Sequence, residues 1–254
     1  MVKLTFLGTG TSQGVPIIAC KCPVCLSENK KDKRLRTSVL IHVDNQNIVI
    51  DSGPDFRYQM LRAGVENISA ILFTHEHKDH TAGLDDIRAF NWVNKTAVNI
   101  YAERRVQESL KKEFAYVFAE FKYPGIPQMN LIEVTKQAFR INGTTIQPIR
   151  AMHLKLPVYG YRIGDLAYIT DANYISPEEM EKLKGIKVLV VNALRKEKHI
   201  SHYNLSEALD LVNELKPEKA YFTHISHQMG FYDDVQAELP ANVYLAYDEL
   251  TIEV

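Results

Sequence analysis

Two mixed β-sheets packed face to face, with helices on their outer surfaces, are what this sequence predicts, as one domain over residues 1–254. Three observations carry the expectation. Short apolar runs recur along the chain, bounded by Gly, Asp, Asn or Pro, as strands are. Helical patterns are inserted between them in the first half, and the same order recurs in the second. Several of the apolar runs end abruptly in Asp or His, the position from which a strand presents a functional side chain.

In order, Lys3–Leu7 alternates and stops at Gly8-Thr9-Gly10, a strand entering the loop Gly8–Pro16. The GxG of that loop reads first as a tight turn and second as backbone approaching a site. Ile18–Leu26 carries every cysteine of the chain, and Glu28–Arg36 is charge-dense, the pattern of a solvated, mobile loop. Thr37–Val43 and Asn47–Asp51 form a hairpin around Asp44-Asn45-Gln46. Asp51, at the end of Ile48-Val49-Ile50, reads equally as a functional carboxylate or as a helix cap. A helix over Asp55–Ala63 precedes a buried strand, Ile68–Phe73, that delivers the chain to His75. Further helices are expected over Asp79–Trp92 and Glu103–Lys122, with the strand Val98–Tyr101 between them. Strands follow at Leu131–Val134, Phe139–Ile141 and Thr144–Met152, the last two turning at Asn142-Gly143. Tyr159–Ile163 and Leu166–Thr170 pair through Gly164-Asp165. Ser176–Lys184 is a helix with an N-cap Ser and Pro at its first position. Lys187–Val191 and Lys219–Phe222 are strands, Asn204–Leu215 and Asp233–Leu239 helices, and Val243–Tyr247 and Leu250–Val254 the last strands.

Composition excludes several classes. Hydrophobic content of 46% and charged content of 24% are those of a globular protein. A net charge of −1 argues against a nucleic-acid partner, and the charges of Glu103–Pro124 are balanced. No apolar stretch reaches a membrane span, and the N-terminus lacks a signal peptide, so the expected compartment is the cytoplasm. Three clustered cysteines without a secretion signal point to metal rather than disulfides.

The chemistry concentrates in T-H-E-H-K-D-H-T-A-G, residues 74–83. His75 and His77 alternate on an extended segment and share a face. Asp79 continues that parity, and His80 falls at the turn into the next helix. Imidazoles and carboxylates at this density suit Zn, Mn or Fe(II). His153, Asp171 and His224 stand where later strands end and complete a set of seven.

This pattern resembles the metallo-β-lactamase superfamily over nearly the whole chain, which implies the α+β, four-layer αβ/βα sandwich with metals at one edge between the sheets. The resemblance implies that His75, His77 and His153 bind one divalent ion and Asp79, His80 and His224 a second. It further implies that Asp171 bridges and that Asp51 orients the histidine loop by hydrogen bonds. C-x-C-x-x-C at Cys20, Cys22 and Cys25 offers three thiolates, and His227 in T-H-I-S-H-Q is the expected fourth ligand of a structural zinc. With G-T-G-T-S-Q-G-V-P these motifs look like the PhnP branch, the phosphoribosyl 1,2-cyclic phosphodiesterases. That branch places a further histidine near the scissile phosphate, matched by context here to His202, and its neighbour His199 is expected at the surface. Asp79 and His202 are therefore the candidate catalytic residues. The expected cofactors are two Zn or Mn ions and one structural Zn. The expected substrate is a small, cyclic phosphodiester attacked by metal-activated water. A thioester or lactone hydrolase, or a PqqB-like metal-bearing carrier without turnover, is the alternative. A homodimer is also expected, by resemblance and from the aromatic stretch Tyr116–Phe121.

Overall fold

The structure, a computed structural model, describes residues 1–121 and 123–254. The first sheet is laid down by β1 (Lys3–Gly8), β2 (Ser38–Val43), β3 (Gln46–Ile50), β4 (Ala70–Leu72), β5 (Val98–Ala102) and β6 (Met129–Glu133), in that spatial order. β1, β2 and β3 are antiparallel, and β3 to β6 run parallel. The second sheet is laid down by β7 (Phe139–Ile141), β8 (Thr144–His153), β9 (Leu156–Ile163), β10 (Leu166–Ile169), β11 (Tyr174–Ile175), β12 (Val188–Asn192), β13 (Lys219–Thr223) and β14 (Val243–Leu245). Its order is β11-β8-β9-β10-β12-β13-β14, with β7 paired to β8 and with β10, β12, β13 and β14 parallel. β15 (Thr251–Glu253) returns to the first sheet, antiparallel to β1.

The two-residue period of a strand sorts each apolar run between two cores. Ile48 and Ile50 of β3 and Val188 and Val190 of β12 enter the layer between the sheets. Val49 turns outward under the helices of the first sheet, and Leu189 and Val191 under those of the second. Parallel strands covered on both faces therefore read as unbroken hydrophobic runs. The helices are α1 (Pro23–Leu26), α2 (Phe56–Arg62), α3 (Lys78–Thr81), α4 (Arg88–Asn94), α5 (Arg104–Glu113), α6 (Ala115–Phe118), α7 (Pro177–Glu181), α8 (Leu205–Leu215) and α9 (Tyr232–Glu238). Phe56 of α2, Phe90 of α4 and Val106 and Leu110 of α5 cover the first sheet, and Leu211 of α8 and Val235 of α9 cover the second. The result is the expected four-layer sandwich. Among the described residues no helix is long and apolar enough to cross a membrane.

Three expectations need correction. The span Asp79–Trp92 is not one helix. It breaks into α3, a 3-10 turn at Leu84–Ile87 and α4. The break comes at Gly83, whose backbone is pressed so close to Gly53 that a Cβ would lie 2.1 Å from the Gly53 carbonyl oxygen. The span Glu103–Lys122 divides at Phe114, which leaves helical geometry (φ −105°, ψ 42°) and buries its ring in the outer core; Lys122 lies outside the described residues. Glu28–Arg36 is not solvated throughout. Asp32 and Arg34 are 2% and 5% exposed. Asp32 accepts from the Tyr232 N–H and the Ser27 hydroxyl, and Arg34 donates to Thr9 Oγ1 and the Ala246 carbonyl. Paired and satisfied, these charges act as core.

Candidate metal centre

The carboxyl ends of the parallel strands gather at one edge of the sandwich. Asp51 follows β3, Thr74 and His75 follow β4, Asp171 follows β10, and His224 follows β13. Asp51, Asp171 and His224 all take left-handed backbone angles, with φ of 64°, 54° and 55°. Each costs about 1 kcal/mol relative to ordinary geometry. The turn they make lets the chain leave the sheet while the side chain stays at its edge.

The hydrogen bonds fix which ring nitrogens face inward. Thr74 Oγ1 donates its one proton to Asp51 Oδ2 (2.8 Å), so it accepts from His75 Nδ1 (2.9 Å) and leaves a lone pair on His75 Nε2. Asp51 also accepts from His80 Nδ1 (2.7 Å) and from the Thr74 N–H (2.9 Å). Asp51 is therefore an orienting carboxylate and not a helix cap. The Ser201 carbonyl accepts from His153 Nδ1 at 2.8 Å. Orientation from behind of this kind prepares an imidazole for a metal ion.

The inward atoms then form groups. His75 Nε2 and His77 Nδ1 are 3.0 Å apart, and the His153 ring centroid lies 5.9 and 5.3 Å from theirs. One ligand atom each from Asp79, His80, Asp171 and His224 fits within 4.8 Å. His80 Nε2 is 3.2 Å from both Asp79 and Asp171, and His224 Nε2 is 3.2 Å from Asp171. None of these contacts has hydrogen-bond geometry, and His80 Nε2 and both His224 nitrogens are buried without a partner. Buried donor atoms that converge without pairing fit a shared cation, and the residues present therefore suit the implied metal ions. Asp79 and His80 reach the group from the first turn of α3, because the helix starts at Lys78. The extended parity expected for Asp79 does not hold.

The electrostatics agree. Burial opposes charge on His80, but Asp79, Asp171 and Asp51 around it raise it well above its ordinary value. Burial would raise Asp171 and Asp79, yet the neighbouring His224 and His80 hold both carboxyls well below the usual range. Burial, with His80 beside it, lowers His75, and burial pushes His153 down to about 4.

His202 is 9% exposed, and its Nε2 lies 3.0 Å from Asp171 Oδ1. With His153 and Asp171 it forms a further group able to hold a metal. His199 is not an isolated surface residue as expected: it is half-buried, with Nδ1 3.1 Å from His202 Nδ1. Sequence reasoning missed Thr74, Ser201 and Asn192. Asn192 ends β12 and holds the turn after Asp171 through Ala172 N and O (2.8 and 3.0 Å). A polar residue closing the apolar run Val188–Val191 was the available signal.

The second cluster lies outside this edge. Cys20, Cys22 and Cys25 Sγ stand 3.5, 3.2 and 3.6 Å from His227 Nδ1. Tetrahedral zinc with ordinary bond lengths sets such atoms about 3.6 Å apart, so the four fit one ion. The Cys25 N–H and His227 lower Cys22 to about 6, and burial pushes Cys25 up to about 11.

A family model described as a beta-lactamase superfamily domain matches residues 46–225. The crystal structure of a diphosphatase from the PhnP family is 38% identical and superposes with a TM-score of 0.93, covering 100% of this chain and 98% of that one. Zinc-bound PqqB from Methylobacterium extorquens is 16% identical with a TM-score of 0.79, covering 99% and 100%, a likeness of fold. An octanoyltransferase of Porphyromonas gingivalis is 41% identical over 252 residues, which are 98% of this chain. The chain spans about half the length of that relative (51%).

Proposed function

The chain belongs to the metallo-β-lactamase superfamily, and on that premise we propose that it is a metal-dependent phosphodiesterase acting on a small, cyclic phosphodiester. The observation that carries the reading is His202, set 3.0 Å from Asp171 at the rim of the ligand cluster. His75, His77 and His153 would hold one divalent ion, zinc or manganese, and Asp79, His80 and His224 a second, with Asp171 shared. When bound, the ions supply Lewis acidity to a phosphoryl oxygen and lower the pKa of water. The chain's own work is orientation and proton transfer. Asp51, Thr74 and the Ser201 carbonyl fix three imidazoles from behind. His202 would act as the imidazolium, protonated on both ring nitrogens: with substrate in place its Nε2 proton, facing Asp171, passes to the leaving alkoxide and leaves neutral imidazole. Burial lowers its pKa, so the proton, once there, is given up readily.

His202→Ala tests this. With metal content unchanged by elemental analysis, turnover of a diester with an alkyl leaving group falls about 10²–10⁴-fold. Turnover of a p-nitrophenyl diester, whose leaving group needs no acid, falls far less. Equal losses on both substrates would remove the acid role. A second reading, hydrolysis of an acyl thioester, is favoured by the 41% identity to part of an octanoyltransferase. A panel of 2′,3′-cyclic nucleotides, a ribose 1,2-cyclic phosphate and an octanoyl thioester separates the two; activity on the thioester alone selects the second.

A further inference from the structure

The chain joins antiparallel strands with two-residue turns at Asp44-Asn45, Asn142-Gly143, Gly164-Asp165 and Leu154-Lys155. In the first two both residues have positive φ, and in the third only Gly164 does. Those turns use Asp, Asn and Gly, as such angles require. The fourth does not. Leu154 takes φ 58° at the place where this turn type calls for glycine. Its side chain is 50% exposed, so burial does not offset the strain. This turn directly follows His153, a candidate ligand. A chain that obeys a local rule three times and breaks it beside its site points to a use for the offending side chain.

Asn173 ties this turn to a second loop. Its Oδ1 accepts from the Leu154 N–H at 2.8 Å, and its Nδ2 donates to the Ile200 carbonyl at 3.1 Å. One amide thus sets the backbones of Leu154 and Ile200 side by side. Ile200 is 73% exposed and precedes Ser201 and His202. The rings of His153 and His202, which these loops carry, are 4.5 Å apart, and His199 stands 5.0 Å from His202. Two exposed aliphatic residues and the half-buried His199 therefore stand on the loops that carry His153 and His202, with exposed Lys155 and Lys198 in the same loops.

We propose that Leu154 and Ile200 form a specificity-determining lip, held by Asn173, that seats the planar aromatic part of a phosphate ester. The assignment rests on the phosphodiesterase reading and names its substrate class. A surface of two side chains and a ring matches one planar group, and the lysines complement the ester's negative charge. An aromatic ring laid across such apolar side chains gains by leaving water, whereas the phosphate alone gains nothing from them.

The test is equilibrium binding to the metal-loaded protein, with phenyl, methyl and octyl phosphate compared by calorimetry. The wild-type protein binds phenyl phosphate roughly 10-fold or more tighter than methyl phosphate. Leu154→Gly and Ile200→Ser each bring that ratio to within about 2-fold of unity and leave methyl phosphate affinity unchanged. Leu154→Gly also raises Tm by about 2–4 °C, because glycine relieves the turn. A residue with a merely structural role would not trade stability against selectivity in this way. A wild-type ratio near one, or a ratio unmoved by both variants, overturns the proposal. Octyl phosphate binding tighter than phenyl phosphate overturns it too, in favour of an alkyl chain on the lip. Failure of the phosphodiesterase reading shows separately, as absent turnover of every diester, and leaves these ratios measurable.

Discussion

His80 concentrates the electrostatic logic of the edge. Its Nδ1 is bound to Asp51, and three carboxylates face its ring, so the metal-free protein keeps it protonated. The sign follows from the direction of the shift. The folded value lies above the ordinary 6.5, so the stabilisation is complete below pH 6.5 and is lost as pH rises through the folded value. A metal ion must displace the Nε2 proton. Zinc binding to the apoprotein at pH 7 therefore releases about one proton or more, read by calorimetry in two buffers of different ionisation enthalpy. Release of none would contradict the arrangement. Gly53 makes the complementary case for backbone. A Cβ there would lie 2.0 Å from the Asp79 carbonyl oxygen. Gly53→Ala must push α3 away from the Asp51 loop, at a cost of about 3 kcal/mol or more. The expected result is a fall in Tm of roughly 6–12 °C together with loss of bound metal. An unchanged Tm would show that the two loops are not held in contact.

At the scale of elements, the Cys20–Cys25 segment is held from the opposite end of the chain. Cys22 caps α1 by accepting from the Cys25 N–H, and His227 opens a 3-10 turn just past β13. Backbone bonds run beside them from Thr11 N to the Ile225 carbonyl and from Ile225 N to the Thr9 carbonyl. The sulfur cluster is thus a clasp between the loop after β1 and the loop after β13, and it stands apart from the His/Asp edge. His227→Ala should lose one equivalent of zinc and leave the remaining metal in place. Tm should fall by about 5–10 °C, as removal of a bound native-state ion predicts. Loss of all bound metal at once would show instead that the two clusters share their ligands.

Over the whole molecule, what could be read in advance was what depends on local pattern. Ile48–Ile50 ending in Asp51, or Lys219–Phe222 ending before His224, declares both a buried strand and the side chain it delivers. T-H-E-H-K-D-H and C-x-C-x-x-C announce ligands because few other uses justify such density. Hidden from the sequence was whatever a distant backbone decides. The pairing of Gly83 with Gly53 ended a helix that periodicity had carried through to Trp92. Burial of Asp32 and Arg34 was fixed by Tyr232 and Ala246, some two hundred residues away. Ser201 acts through its main-chain carbonyl, so its side-chain chemistry gave no warning, and the partner of the Asn192 amide, the backbone of Ala172, lies twenty residues away. The separation of the site's parts along the chain also sets an order of events at birth. At translation rates of about 5–20 residues per second, residues 75–80 leave the ribosome roughly 7–30 s before His224 does. For that interval a nascent chain displays three histidines and an aspartate while the other three ligands, His153, Asp171 and His224, are still being made. Full coordination becomes available only when His224 follows β13 out, so the ligand set is complete while the second sheet still awaits its last parallel strand, β14.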